Sequence, residues 1–266
     1  MYKFSQQITR PKIGLALGSG SARGFAHIGV IQTLLENHIP IDYIAGSSIG
    51  ALIGSFFAVQ GRPDFFHQGL QKINRKKFLD FCMPKMGLIK GNKIQEMVSL
   101  FTYGKHLEQF HIPMAVVATE LQTGKRKVFV KGNAAEAVRA SISIPGVFVP
   151  YEIQGKRYID GGVIDRVPVT VVRQMGAHIV IGVDVSPRKI YGEVTSIFDV
   201  IMQSLQIMET QIIKPTEFRT DILIRPDVER FKPRAFTNLD QIIMEGARAT
   251  KAMLPKIREV IAEFGK

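Results

Sequence analysis

Tyr43-Ile44-Ala45-Gly46-Ser47-Ser48-Ile49-Gly50-Ala51 decides the fold. Ile41, Tyr43 and Ile44 form a β-prone run that leads straight into a Gly-x-Ser-x-Gly turn. Ala51, Leu52, Ile53, Phe56 and Phe57 then continue as an apolar helical stretch. Strand, sharp turn and helix in immediate succession are the setting of a nucleophile elbow. Such a turn holds the Ser48 hydroxyl above the sheet edge. Gly46 and Gly50 let the neighbouring chain pass close by. A helix that begins just after Ser48 aims its unpaired N–H groups at any oxyanion formed there. The plainer alternative is a strand-to-helix turn whose serine caps the helix.

Upstream, Lys12 to Leu17 reads as a buried strand, followed by the glycine-rich Gly18-Ser19-Gly20-Ser21-Ala22-Arg23-Gly24. Phe25, Ile28, Val30, Ile31, Leu34 and Leu35 recur at helical spacing and stop before Pro40. Strand, loop, helix and strand make a βαβ unit, hence a parallel sheet. Gly18-x-Gly with Gly24 also fits a dinucleotide loop. That site requires an acid at the end of the second strand, where Gly46-Ser47-Ser48 stands instead. The better reading places Gly18, Ser19, Gly20 and Ser21 as an oxyanion loop facing Ser48. Arg23 either orients this loop or is an ordinary surface arginine.

Downstream, residues 61–112 are the least regular part. Arg75 to Met86 mixes basic, Phe and Met residues. It suits a cap over the site that lies on lipid, or equally a buried helical excursion. Lys90 to Phe101 is an amphipathic helix. His67, His106 and His111 lack metal-ligand spacing, so no metal or other cofactor is expected. Pro113 to Thr119 and Arg126 to Val130 are strands, Ala134 to Ile142 a helix, and Tyr151 to Ile159 a hairpin. That hairpin ends in Asp160-Gly161-Gly162, a carboxylate on a bare backbone, or simply a turn. Asp165 suits the cap of a helix over Val167 to Met175. His178 to Val185, Ser196 to Ile213, Asp221 to Ile224 and Leu239 to Phe264 read as strand, helix, strand and helix.

Composition limits the functional classes. The 266 residues fit one α/β domain over 1–266, and 45% hydrophobic against 22% charged residues exclude wholesale disorder. A single cysteine, Cys82, rules out an intrachain disulfide and suits a reducing compartment. The N-terminal stretch has no apolar signal core, so the expected location is the cytoplasm, peripheral to the inner face of the membrane. The net charge of +12 favours an anionic membrane surface. No basic–aromatic pattern points to nucleic acid.

Four blocks in this order resemble the patatin-like phospholipase family of bacteria, from about Ile13 to Ser186. They are Gly18 to Val30, Gly46-Ser47-Ser48-Ile49-Gly50, Ala140-Ser141-Ile142-Ser143-Ile144-Pro145 and Asp160-Gly161-Gly162. The catalytic domain of neuropathy target esterase is similar in the same sense. Ser19 and Ser21 stand where many members have glycine, and Asp165 where related sequences often have Asn. The resemblance implies a three-layer α/β/α sandwich around a mainly parallel sheet. It also implies a Ser48–Asp160 dyad that hydrolyses fatty-acyl esters of (lyso)phospholipids, supported by Arg23, Gly24, Gly46, Gly50, Gly161 and Gly162. Two alternatives stay open: a triad esterase with His178 as base, and a catalytically weak lipid-binding module.

Overall fold

A computed structural model describes residues 10–61, 80, 86–186, 194–213, 220–232 and 238–264. Its strands are β1 (Ile13–Leu17), β2 (Tyr43–Ser47), β3 (Met114–Glu120), β4 (Arg126–Phe129), β5 (Tyr151–Ile153), β6 (Lys156–Asp160), β7 (Ile179–Val183) and β8 (Ile222–Ile224). Its α-helices are α1 (Ala26–Glu36), α2 (Ile49–Ala58), α3 (Asn92–Phe101), α4 (Ala134–Ser141), α5 (Val169–Gln174), α6 (Ile197–Ile213) and α7 (Leu239–Glu263).

β1 is buried at every residue and pairs in parallel with β2 on one side and β7 on the other. The parallel run β3-β2-β1-β7-β8 continues from there. β4 and the β5–β6 hairpin join antiparallel through β3, so the sheet is mixed with a parallel centre. Both faces of the centre are covered, as an unbroken apolar strand requires. Ile13, Leu15 and Leu17 face α1, α2 and α7, whereas Ala16, Ala45 and Ala115 face Val169, Val171 and Val172 of α5. The result is an α/β/α sandwich with one thick and one thin helical layer.

The tail helix α7 locks onto α1 by mutual close approach. A Cβ on Gly29 would lie 2.0 Å from the Ile243 carbonyl oxygen, and one on Gly246 would lie 2.0 Å from that of Ala26. Of the cap expected at 61–112, residues 62–79 and 81–85 lie outside the described residues. Its described part contains α3, in the place expected for an amphipathic helix. Asp165 is not the cap of α5: Pro168 holds that position, and the Asp165 carboxylate accepts a 2.5 Å bond from Arg126. No helix among the described residues is long and apolar enough to cross a membrane.

Candidate functional site

The parallel strands present their carboxyl ends on one side of the sheet, where ligands of open α/β sheets bind. Ser48 sits there between β2 and α2 with φ 54° and ψ −122°, a strained geometry for a residue with a side chain. Its hydroxyl makes no capping bond to α2, which disposes of the capping-serine reading. Gly50 explains the tightness of the turn, because a Cβ there would lie 2.1 Å from the Leu17 carbonyl oxygen. Gly46 approaches Gly50 and Ala51, and Gly24 approaches Ile49, so the elbow and the first loop interlock.

Pairing on β3 brings the second group in. β2 pairs with β3 as far as Ser47↔Val117, and β6 takes the next residue, Ala118↔Asp160. The ends of β2 and β6 therefore meet over adjacent residues of β3. There the Ser48 hydroxyl donates to Asp160 Oδ2 at 2.5 Å, while Gly162 N–H donates to Oδ1 at 2.8 Å. Gly161 is tight against the sheet, since a Cβ would lie 2.2 Å from the Val117 oxygen. Burial raises the Asp160 carboxyl to about 6. The Ser48 hydroxyl, the Gly162 amide and the nearby Arg166 charge oppose that rise.

The block from Ala140 to Pro145 scaffolds both partners. Ser141 Oγ accepts the Ser48 N–H at 2.9 Å and donates to the Val117 oxygen at 2.6 Å. The Ser143 carbonyl accepts the Asp160 N–H at 2.9 Å. The motif was visible in the sequence, but its three structural bonds were not.

The glycine-rich loop differs from the expected oxyanion loop. Gly18 N–H donates to Val183 at 3.0 Å and Ser19 N–H to Arg166 at 2.9 Å, so neither amide faces the site. Internal hydrogen bonding thus removes both from the set of oxyanion donors. Gly20 N–H has no backbone partner among the described residues. Ser21 follows with φ 54° and opens a 3-10 turn over Ser21–Phe25. Ser19 Oγ is buried next to Gly162, without a hydrogen-bond partner among the described residues.

Basic groups surround this loop. Arg23 is buried, not a surface residue, and its Nε donates to the Phe231 oxygen at 2.7 Å. Burial lowers it to about 10, helped by the Arg166 charge. Arg166 is buried as well and lowered by desolvation, against the pull of Asp184 and Asp160. Asp184 also lies 3.5 Å from Arg225. His27 was not singled out in the sequence. It is fully buried, held neutral by desolvation to about 4, and bonded through Nε2 to the Gly18 oxygen at 2.8 Å. Because that oxygen only accepts, Nε2 carries the proton.

The site opens into a cleft. Ser48, Asp160, Gly20, Ser21, Arg23 and Arg166 line one side, and Ile144, Val163, Met202 and Leu205 give it an apolar wall. His178 is elsewhere. It stands before β7, accepts the Lys12 N–H through Nδ1 at 2.9 Å and stacks on Phe264 at 5.1 Å. The triad alternative therefore has no geometry to support it. Among the described residues, no three His, Cys, Asp or Glu side chains cluster to hold a metal ion.

A family model described as patatin-like phospholipase matches residues 15–173. The chain belongs to the patatin-like phospholipase family. An uncharacterized NTE family protein of Mycobacterium tuberculosis is 40% identical over 179 residues, which cover 66% of this chain and 49% of that protein. The lysophospholipase NTE1 of Mycosarcoma maydis is 29% identical over 286 residues, covering 95% of this chain and 15% of its own length. The crystal structure of VipD from Legionella pneumophila has a similar fold, with a TM-score of 0.66, 13% identity and coverage of 93% of this chain and 67% of that one. This patatin-like chain thus spans about half, or less, of the length of the curated relatives it matches.

Proposed function

We propose that this chain is a serine acyl hydrolase that cleaves fatty-acyl esters of lysophospholipids or related lipids, through one domain over 1–266. The observation that carries the reading is the 2.5 Å bond from Ser48 Oγ to Asp160 Oδ2, made by a serine held in a strained turn. Asp160 takes the hydroxyl proton as Ser48 Oγ attacks the ester carbonyl carbon. The Gly20 and Ser21 amides steady the resulting oxyanion, and one such donor is worth about 3 kcal/mol. The tetrahedral intermediate then breaks its carbon–oxygen bond to the alcohol, which leaves with the proton from Asp160. Water, deprotonated by the same carboxylate, attacks the acyl-serine, and Ser48 recovers its proton as the fatty acid departs. The raised carboxyl is the right kind of base, since its affinity for the proton sits closer to neutral pH. The names of relatives such as the lysophospholipase NTE1 support a lipid ester as substrate.

We place the reaction in the cytoplasm, at the inner face of a membrane, where the net charge of +12 draws the chain to anionic lipid. A fluorophosphonate probe tests the nucleophile. Peptide mapping should find one labelled residue, Ser48, and Ser48→Ala should abolish labelling and release of fatty acid from lysophosphatidylcholine. Labelling of Ser47, Ser141 or Ser143 in an active preparation would overturn the assignment.

A further inference from the structure

Helix α6 divides its side chains between two surroundings. Met202, Leu205 and Gln206 line the cleft that holds Ser48 and Asp160. Ile197, Val200, Ile207 and Met208 are exposed, Ile197 by 72% and Met208 by 54%. Positions 197, 200, 204, 207 and 208 follow helical spacing, so they form one outward stripe with Ser204 as its polar member. The helix carries no Lys or Arg. Its first carboxylate, Asp199, is bound at the helix start by the Ser196 hydroxyl at 2.6 Å and by Thr195. The helix touches the catalytic strand end directly, through the turn Gly161–Val163.

We propose that α6 is the lipid-docking face of this chain: its outward stripe enters the surface of an anionic bilayer while its inner side remains the wall of the cleft. The proposal deepens the acyl-hydrolase reading and rests on it. Two observations select lipid as the occupant. The stripe lies on the same helix whose inner side, through Met202 and Leu205, lines the cleft, so a bilayer that holds the stripe lies beside the site. The charge is also complementary: the chain has net charge +12, and the stripe brings no carboxylate to oppose an anionic surface. Apolar side chains of a helix held at a bilayer surface sit about 5–10 Å deep.

The test uses the full chain carrying Ser48→Ala, so that binding is read without catalysis. Vesicles of phosphatidylcholine mixed with phosphatidylglycerol are co-sedimented with this protein and with the same protein carrying Ile197→Gln and Val200→Gln. Losing two inserted apolar side chains should weaken partition by at least about tenfold. Leu100→Gln, on the equally exposed α3, should leave it unchanged. In the active background, hydrolysis of vesicle lipid should fall in step with partition. The rate on a soluble short-chain ester should fall no more than in Leu100→Gln. Circular dichroism should show the glutamine variants folded, because Ile197, Val200 and Leu100 are exposed. Unchanged partition of the double variant would overturn the proposal. So would a wild-type dimer that the double variant dissolves, since the stripe would then be a contact between copies. Normal vesicle binding with no ester hydrolysis would leave docking intact and remove the acyl-hydrolase reading.

Discussion

Asp160→Asn should inactivate the protein and stabilise it at the same time. The carboxyl is buried and raised from 3.8 to about 6. The unfolded chain loses this proton near pH 4, whereas the folded chain holds it until about pH 6. The neutral carboxyl therefore favours the folded state most at low pH, and that advantage is lost as pH rises through 6. Above that, the wild type carries the full penalty of a buried charge. About 2 pH units at 1.36 kcal/mol each amount to about 3 kcal/mol. Asparagine does not ionise. Its oxygen can accept the Gly162 N–H, and its amide can donate to Ser48 Oγ, so few hydrogen bonds are lost. Urea unfolding at pH 8 should show the variant more stable, by up to about 3 kcal/mol, and the gap should close towards pH 4. Hydrolysis of a p-nitrophenyl ester should drop by about two to four powers of ten, the usual range for general-base help. Equal stability at pH 8, or the same gap at pH 4 and pH 8, would refute the claim that burial sets the basicity of this carboxyl.

In the wild type, kcat/KM on an uncharged ester should rise with pH through about 6, where Asp160 loses its proton, and level off above; a flat profile from pH 5 to 8 would exclude Asp160 as the base. His27→Leu removes the bond that pins the Gly18 carbonyl, so urea unfolding should show a loss of about 1–3 kcal/mol. Gly50→Ala forces a Cβ against the Leu17 carbonyl, and the elbow should shift or the chain fail to accumulate, as fluorophosphonate labelling and circular dichroism would show. His178→Ala should keep most activity on the same ester, because its ring is bonded at the opposite end of β7. Vesicle co-sedimentation should weaken as salt screens the net charge of +12.

The sequence by itself determined the local pieces. Apolar runs bounded by glycine and proline gave the strands and helices, because their periods are written in consecutive residues. Gly-x-Ser-x-Gly between a strand and a helix marked Ser48, since the strain that exposes a serine there is a property of the turn itself. Asp160-Gly161-Gly162 marked a carboxylate on bare backbone, but the motif alone left a plain turn open. Other features were decided only in three dimensions. The meeting of Ser48 with Asp160 depends on where β2 leaves β3 and β6 joins it, a pairing between segments 112 residues apart. Gly18 and Ser19 drop out of the expected oxyanion loop because Val183 and Arg166, far along the chain, take their amides. Asp165 has the sequence position of a helix cap, but Arg126 of β4 takes its carboxylate. The burial of His27 and Arg23 and the outward stripe of α6 likewise follow from which faces the assembled layers cover. Hydrogen bonds within a turn are set by neighbours in sequence; desolvation and long-range pairing are set by whatever the fold places alongside.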